Sequence, residues 1–263
     1  MQIWQAILFG AVQGFTEFLP VSSSGHLILA ERWLNVNTDG GLFFDITLHI
    51  GTLVPVFIVF FKSIKELFKR PYNKFCYLVI ATVPAAITGF LFQDYIEKFY
   101  KSGDLLSAIL LAVSFCVTAA ELFVAEKISK NNKNILPLSV KSSIIMGVFQ
   151  GIAIIPGLSR SGTVITGGAV ARLDRNSNAE FAFLMSIPVI LGASAASGIK
   201  VIKSGCVIEP LPIIFGVITA AITGYIAVNA TLKSIKKGKY KRFSLYLLIL
   251  AAASVVTKAL FGV

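Results

Sequence analysis

Gln13-Gly-Phe-Thr-Glu-Phe-Leu-Pro-Val-Ser-Ser-Ser-Gly-His26 interrupts an apolar segment that otherwise runs from residue 3 to residue 34. Its centre, Pro20-Val-Ser-Ser-Ser-Gly25, breaks a helix. Proline lacks a donor and clashes with the preceding turn, and serine favours caps over helix interiors. A second interruption, Pro156-Gly-Leu-Ser-Arg-Ser-Gly162, divides the apolar segment 142–170. Each half is only about 11 to 18 residues, short of the ~20 a bilayer crossing needs but long enough to reach its middle. Irregular backbone at that depth is tolerated only when buried in protein or lining a wet cavity. Both segments are therefore expected to be re-entrant helix–loop–helix hairpins.

Composition supports a membrane setting. Of the 263 residues, 56% are hydrophobic and 14% are charged, against about 25% charged in a soluble domain. The net charge of +11 does not point to nucleic acid, because the basic residues sit in short loops between apolar runs. Six runs read as full spans: 43–61, 74–92, 105–124, 179–199, 210–230 and 243–262. Cys76, Cys116 and Cys206 lack metal or redox spacing and are expected to fill the core. The first 19 residues lack a basic leader and carry Glu17, so no cleavable signal is expected.

The two broken segments also match each other. Gly10-Ala-Val-Gln-Gly14 aligns with Gly147-Val-Phe-Gln-Gly151, and Ser22-Ser-Ser-Gly25 with Ser159-Arg-Ser-Gly162, at one ungapped offset of 137. Each copy is followed by three spans. The chain is thus expected to be a single all-α integral membrane domain, 1–263, with six transmembrane helices and two hairpins. Repeat 1 covers about residues 1–124 (hairpin 3–34) and repeat 2 about residues 140–263 (hairpin 142–170). An odd number of crossings per unit inverts the second copy, an architecture in which broken helices meet at the midplane.

Loop charge agrees with that topology. Seventeen Lys/Arg lie in or beside loops 62–73, 125–141, 171–178 and 231–242, and six lie on the opposite side. The rich loops share one side only if both hairpins are re-entrant, and that side is cytoplasmic. Both termini, and the mouth of the first hairpin, then face outward.

The breaks carry chemistry that a bilayer would otherwise exclude. Gln13, Glu17, Ser22, Ser23, Ser24 and His26 come from the first; Gln150, Ser159, Arg160, Ser161 and Thr163 come from the second. A charge at the bilayer centre costs at least roughly 2.5–3.5 kcal/mol, so Glu17 and Arg160 are expected to offset each other. Gln13 and Glu17 share a helical face, and Arg160 offers a fork suited to phosphate. Helices opening near Gly25 and Gly162 aim N–H groups into the same space. Such a set can hold a polyanion and, with a carboxylate and a cation, cleave a phosphoanhydride. A structural ion pair and helix-packing serines are the simpler readings, but they do not explain why all these groups coincide on two matching breaks. His49 and Glu121 read as packing or interfacial residues, and Asp45 and Glu180 as candidates for the mouth of the site. Two other phosphatase patterns fail: a cysteine loop would need Cys where Ile154 stands, and an acid phosphatase of the phosphatidate type would need His at Thr166.

At Gln13–His26 and Pro156–Thr163 the sequence resembles the undecaprenyl pyrophosphate phosphatase, or bacitracin-resistance, family, along essentially the whole chain. That resemblance implies removal of the terminal phosphate from the C55 lipid pyrophosphate, with a divalent cation, Mg²⁺ or Ca²⁺. By position it implies Glu17, Ser23, His26 and Arg160 as catalytic residues, with Glu17 also the metal ligand. Gln13, Ser22, Ser24, Gly25, Ser159, Ser161, Gly162 and Thr163 would contact substrate. One departure is Gln13, which stands at the family's first acidic position and cannot serve as an anionic ligand. The implied partners are the polyprenyl pyrophosphate, the bacterial plasma membrane and a second copy in a homodimer, with no nucleic acid; the site would open outward. The rival expectation is an inverted-repeat transporter or flippase for lipid phosphate or a small anion.

Overall fold

A computed structural model describes residues 1–36, 41–101, 103–131, 134–204 and 210–262; Cys206 lies outside them. Among the described residues there are eleven helices and no strand. They are α1 (Ile3–Phe18), α2 (Ser23–Leu34), α3 (Gly41–Val59), α4 (Phe61–Leu67), α5 (Asn73–Lys101), α6 (Leu105–Asn131), α7 (Val140–Ile152), α8 (Arg160–Val170), α9 (Arg175–Ser204), α10 (Pro210–Lys236) and α11 (Lys241–Phe261).

Five helices, α5, α6, α9, α10 and α11, are long and apolar enough to cross a membrane. A sixth crossing arises if α3 and α4 are taken together, although they bend by 86° at Phe60. The expected span 43–61 therefore stops at Val59 and turns aside. Several other helices outrun their apolar stretches. α5 continues through Gln93 and Asp94, and α6 through Glu126 and Lys130, because a helix satisfies its own backbone and can extend beyond the hydrocarbon layer.

The outer surface of the bundle is apolar. Phe90, Ile222, Ile249 and Leu260 are all exposed, as befits helices whose solvent is lipid rather than water. Cys76 and Cys116 also lie on this surface. The expectation that they fill the core is corrected: in a lipid-facing helix an apolar neighbourhood in sequence does not imply burial.

The four helices of the two broken segments, α1, α2, α7 and α8, each bury one face against the rest of the bundle. α1 lies along α10, and α7 lies along α5. Both contacts run through glycine. A Cβ at Gly10 would lie 3.1 Å from the Gly216 backbone, and a Cβ at Gly147 would lie 3.1 Å from the Ala81 backbone, with carbonyl oxygens closer still. Only a residue without a side chain admits a second backbone this near. α3 packs on α9, and α6 on α11 and α8. Phe18, Phe115, Met146, Ile165 and Met185 fill the space where these helices meet.

Candidate active site

Each break ends in the same capped turn. Ser22 is the N-cap of α2, its hydroxyl accepting from Gly25 N at 3.3 Å; Ser159 caps α8, accepting from Gly162 N at 3.2 Å. The cap serine of each turn also meets the serine two residues on, Ser24 at 3.4 Å and Ser161 at 3.2 Å. Ser22 has φ of 71°, a conformation costly for a residue with a Cβ.

The two turns touch. A Cβ on Gly25 would stand 3.2 Å from Gly157 Cα, and one on Gly162 would stand 3.2 Å from Pro20 Cβ. These pairs interchange under the offset of 137. Ser161 Oγ donates to Leu19 O at 3.2 Å, and Thr118 of α6 pins the second turn by donating to Gly157 O and accepting from Ser159 N.

Across this junction Arg160 Nη2 donates to Glu17 Oε1 in a direct ion pair. The other carboxylate oxygen, Oε2, accepts from Ser23 Oγ at 2.6 Å and from Gln13 Nε2 at 2.9 Å. The Gln13 amide also meets His49 Nδ1 at 2.9 Å, and that ring nitrogen lies 3.5 Å from Glu17 Oε2. Because the amide nitrogen is only a donor, His49 Nδ1 is the acceptor. Glu17 is thus a buried carboxylate enclosed by one cation, one hydroxyl, one amide and one imidazole.

A cavity of about 1220 Å³ opens against this cluster. Glu17, Ser22, Ser23, Ser24, Ser159 and Arg160 line it, and Asp45 and His49 join them from α3. Its remaining wall is largely apolar, from Ala85, Ala86 and Phe90 of α5 to Pro188 and Val189 of α9. Behind the ion pair Ser161 faces a pocket of about 10 Å³, about the size of one water.

The other expected site residues stand off this wall. His26 places Nδ1 2.7 Å from Ser22 O and Nε2 2.6 Å from Tyr246 Oη, with its ring stacked on Tyr246 at 5.6 Å. The fully buried Thr163 donates to Glu121 Oε2 at 2.7 Å. Glu180 lies 4.0 Å from Lys74 at the surface. Three contacts, those of His49, Glu121 and Tyr246, escaped the sequence reading. An ionisable residue inside an apolar span is a signal by itself, but nothing in the sequence says which way it turns.

A divalent cation suits this donor set in one way only. Among the described residues no three His, Cys, Asp or Glu side chains gather into a cage. Glu17 offers an anionic oxygen, and Gln13 Oε1 is a buried oxygen without a partner among the described residues. One carboxylate completed by substrate phosphate oxygens is how magnesium is commonly held. The residues therefore fit a cation that arrives with, or is completed by, a phosphate ligand.

The helices and site define an all-helical membrane protein with a charged cluster buried between two broken segments. Residues 6–253 match the family described as bacitracin resistance protein BacA, and the chain belongs to that family. It is 39% identical over 263 residues to the undecaprenyl-diphosphatase of Carboxydothermus hydrogenoformans, covering 98% of each chain. It is 36% identical to that of Halothermothrix orenii, covering 99% of this chain and all of the relative. With the Moorella thermoacetica undecaprenyl-diphosphatase it shares 37% identity over 97% of each.

Proposed function

We propose that this protein hydrolyses undecaprenyl (C55) diphosphate to undecaprenyl phosphate and inorganic phosphate, returning the lipid carrier to cell-wall synthesis. The observation that carries the reading is Ser23 Oγ donating at 2.6 Å to a carboxylate whose other oxygen is held by Arg160. A hydroxyl, a base and a cation meet on one cavity wall, and a carrier would need neither the nucleophile nor the base.

The chemistry follows from those positions. The diphosphate displaces Glu17 from the Arg160 fork and takes the guanidinium as its own partner. Ser23 Oγ attacks the terminal phosphorus as its proton passes to Glu17 Oε2. The bond from that phosphorus to the bridging oxygen breaks, and the lipid monophosphate leaves. Water then attacks the phosphoserine, the bond from phosphorus to Ser23 Oγ breaks, and Glu17 returns its proton to that oxygen as inorganic phosphate leaves with the protons of the water. Glu17 would also hold Mg²⁺ or Ca²⁺ with the substrate oxygens, and such an ion neutralises charge on the phosphates. His26 is tied through Nδ1 to the Ser22 carbonyl, so it sets where the neighbouring Ser23 stands; a role as base requires its ring to leave Tyr246.

The polyprenyl tail stays in lipid, and the apolar wall between α5 and α9 suits its entry. Our reading of the architecture is an inverted repeat with two re-entrant hairpins in a bacterial plasma membrane. Three observations support it: the exchanged packing of α1 on α10 and α7 on α5, the matching hydrogen bonds of Gly25 N to Ser22 and Gly162 N to Ser159, and the reciprocal contacts of Gly25 and Gly162. The four helices of the broken segments, α1, α2, α7 and α8, have 11 to 16 residues, about 17 to 24 Å each, which is less than the hydrocarbon thickness. Loop charge then opens the site to the outer leaflet. Phosphate release from a polyprenyl diphosphate by purified protein tests the activity.

A further inference from the structure

Gln150 is the counterpart of Gln13 in the second broken segment, 137 positions on. Gln13 has clear employment, its amide nitrogen lying 2.9 Å from both Glu17 Oε2 and His49 Nδ1. The corresponding positions in the second copy are Ile154 and Ser186. Isoleucine accepts nothing, and the Ser186 hydroxyl donates to Phe183 O at 2.7 Å. Gln150 has therefore lost both of its counterpart's partners. It is 3% exposed, and neither amide atom meets a partner among the described residues.

A buried amide in that state is costly, and native interiors rarely contain one. A leucine would fill the same volume without that cost. Gln150 also lines the large cavity, to which Ser159 and Arg160 contribute as well. A cavity that holds a guanidinium and a capped helix N-terminus suits an anion, and an amide serves an anion by turning its N–H groups toward it.

We infer that Gln150 is a headgroup-binding residue, donating from Nε2 to a phosphoryl oxygen of the bound polyprenyl diphosphate. This rests on the phosphatase reading above. Gln150 carries no charge and moves no proton, so it holds the ground state and the transition state alike. Its loss raises KM and spares kcat.

The test is steady-state phosphate release from farnesyl diphosphate by detergent-purified wild type and Gln150→Leu, with thermal unfolding of each protein measured without substrate. The expected result is a KM at least tenfold higher, kcat within threefold, and an unfolding temperature equal to or above that of wild type. Should the leucine variant not fold, Gln150→Glu keeps the shape and sets an anion against the diphosphate, and the same rise in KM is expected. A variant that unfolds later but keeps the wild-type KM would overturn the inference, as would a loss confined to kcat. A wild-type protein that releases no phosphate would instead refute the phosphatase reading.

Discussion

Glu17 and Arg160 lie 143 residues apart in the chain and form one ion pair where the two broken segments meet. Neither charge could remain at that depth alone without a large cost. Glu17→Gln keeps the shape and the Gln13 contact but removes the base. Phosphate release is expected to fall on the order of 100-fold or more. Arg160→Lys keeps a positive charge without the fork and is expected to lose at least about tenfold. A phosphate assay on purified, folded variants checks both, and near-wild-type rates would remove the pair from the chemistry.

On the proposed reading, Gln13 sets how the site would hold a cation. Its amide donates to Glu17 Oε2 at 2.9 Å. A second carboxylate there would repel Glu17 unless a cation or a proton lay between them. Gln13→Glu is therefore expected to lower the Mg²⁺ or Ca²⁺ concentration giving half-maximal activity and to reduce the activity left without metal. A metal titration after EDTA treatment measures this; an unchanged half-saturation would disconnect Gln13 from the cation.

Close packing at two glycines holds the broken segments to the spans. Gly10→Val and Gly147→Val would drive side-chain atoms into the Gly216 and Ala81 backbones. Overpacking of this kind costs about 1–3 kcal/mol. Both variants are expected to unfold at lower temperature in detergent, and to similar extents because the contacts are alike. Wild-type stability in either would contradict the close approach.

Orientation can be read by labelling. Asp104 and Lys239 are both exposed, at the start of α6 and just before α11. With the basic loops cytoplasmic, Asp104→Cys is expected to react with an impermeant maleimide in intact cells. Lys239→Cys is expected to react only after permeabilisation. The reverse pattern would invert the protein and move the mouth of the site to the cytoplasm.

The two breaks were legible in the sequence because proline, glycine and clustered serines have few other uses inside an apolar run. Their mutual match made it possible to expect Glu17 beside Arg160. The turn at Phe60 was not legible: residues 43–61 carry no interruption strong enough to mark it, and Pro55 lies inside α3. Nor was His49, since its contact with Gln13 depends on how α3 rotates against α1. The lipid-facing cysteines were misread because hydrophobicity marks both core and membrane surface. His26 was legible as part of the first broken segment, while its stacking on Tyr246 required the packing of α11.

Glu17, Ser23 and Arg160 are proposed here as the hydrolytic site for a polyprenyl diphosphate. The most direct measurement is inorganic phosphate release from undecaprenyl diphosphate by purified wild type, Ser23→Ala and Glu17→Gln, each with and without EDTA. The account predicts metal-dependent release of one phosphate per lipid by the wild type, and a loss of about two orders of magnitude or more in both variants. Wild-type protein that binds the lipid yet releases no phosphate, or variants that release it at the wild-type rate, would contradict it.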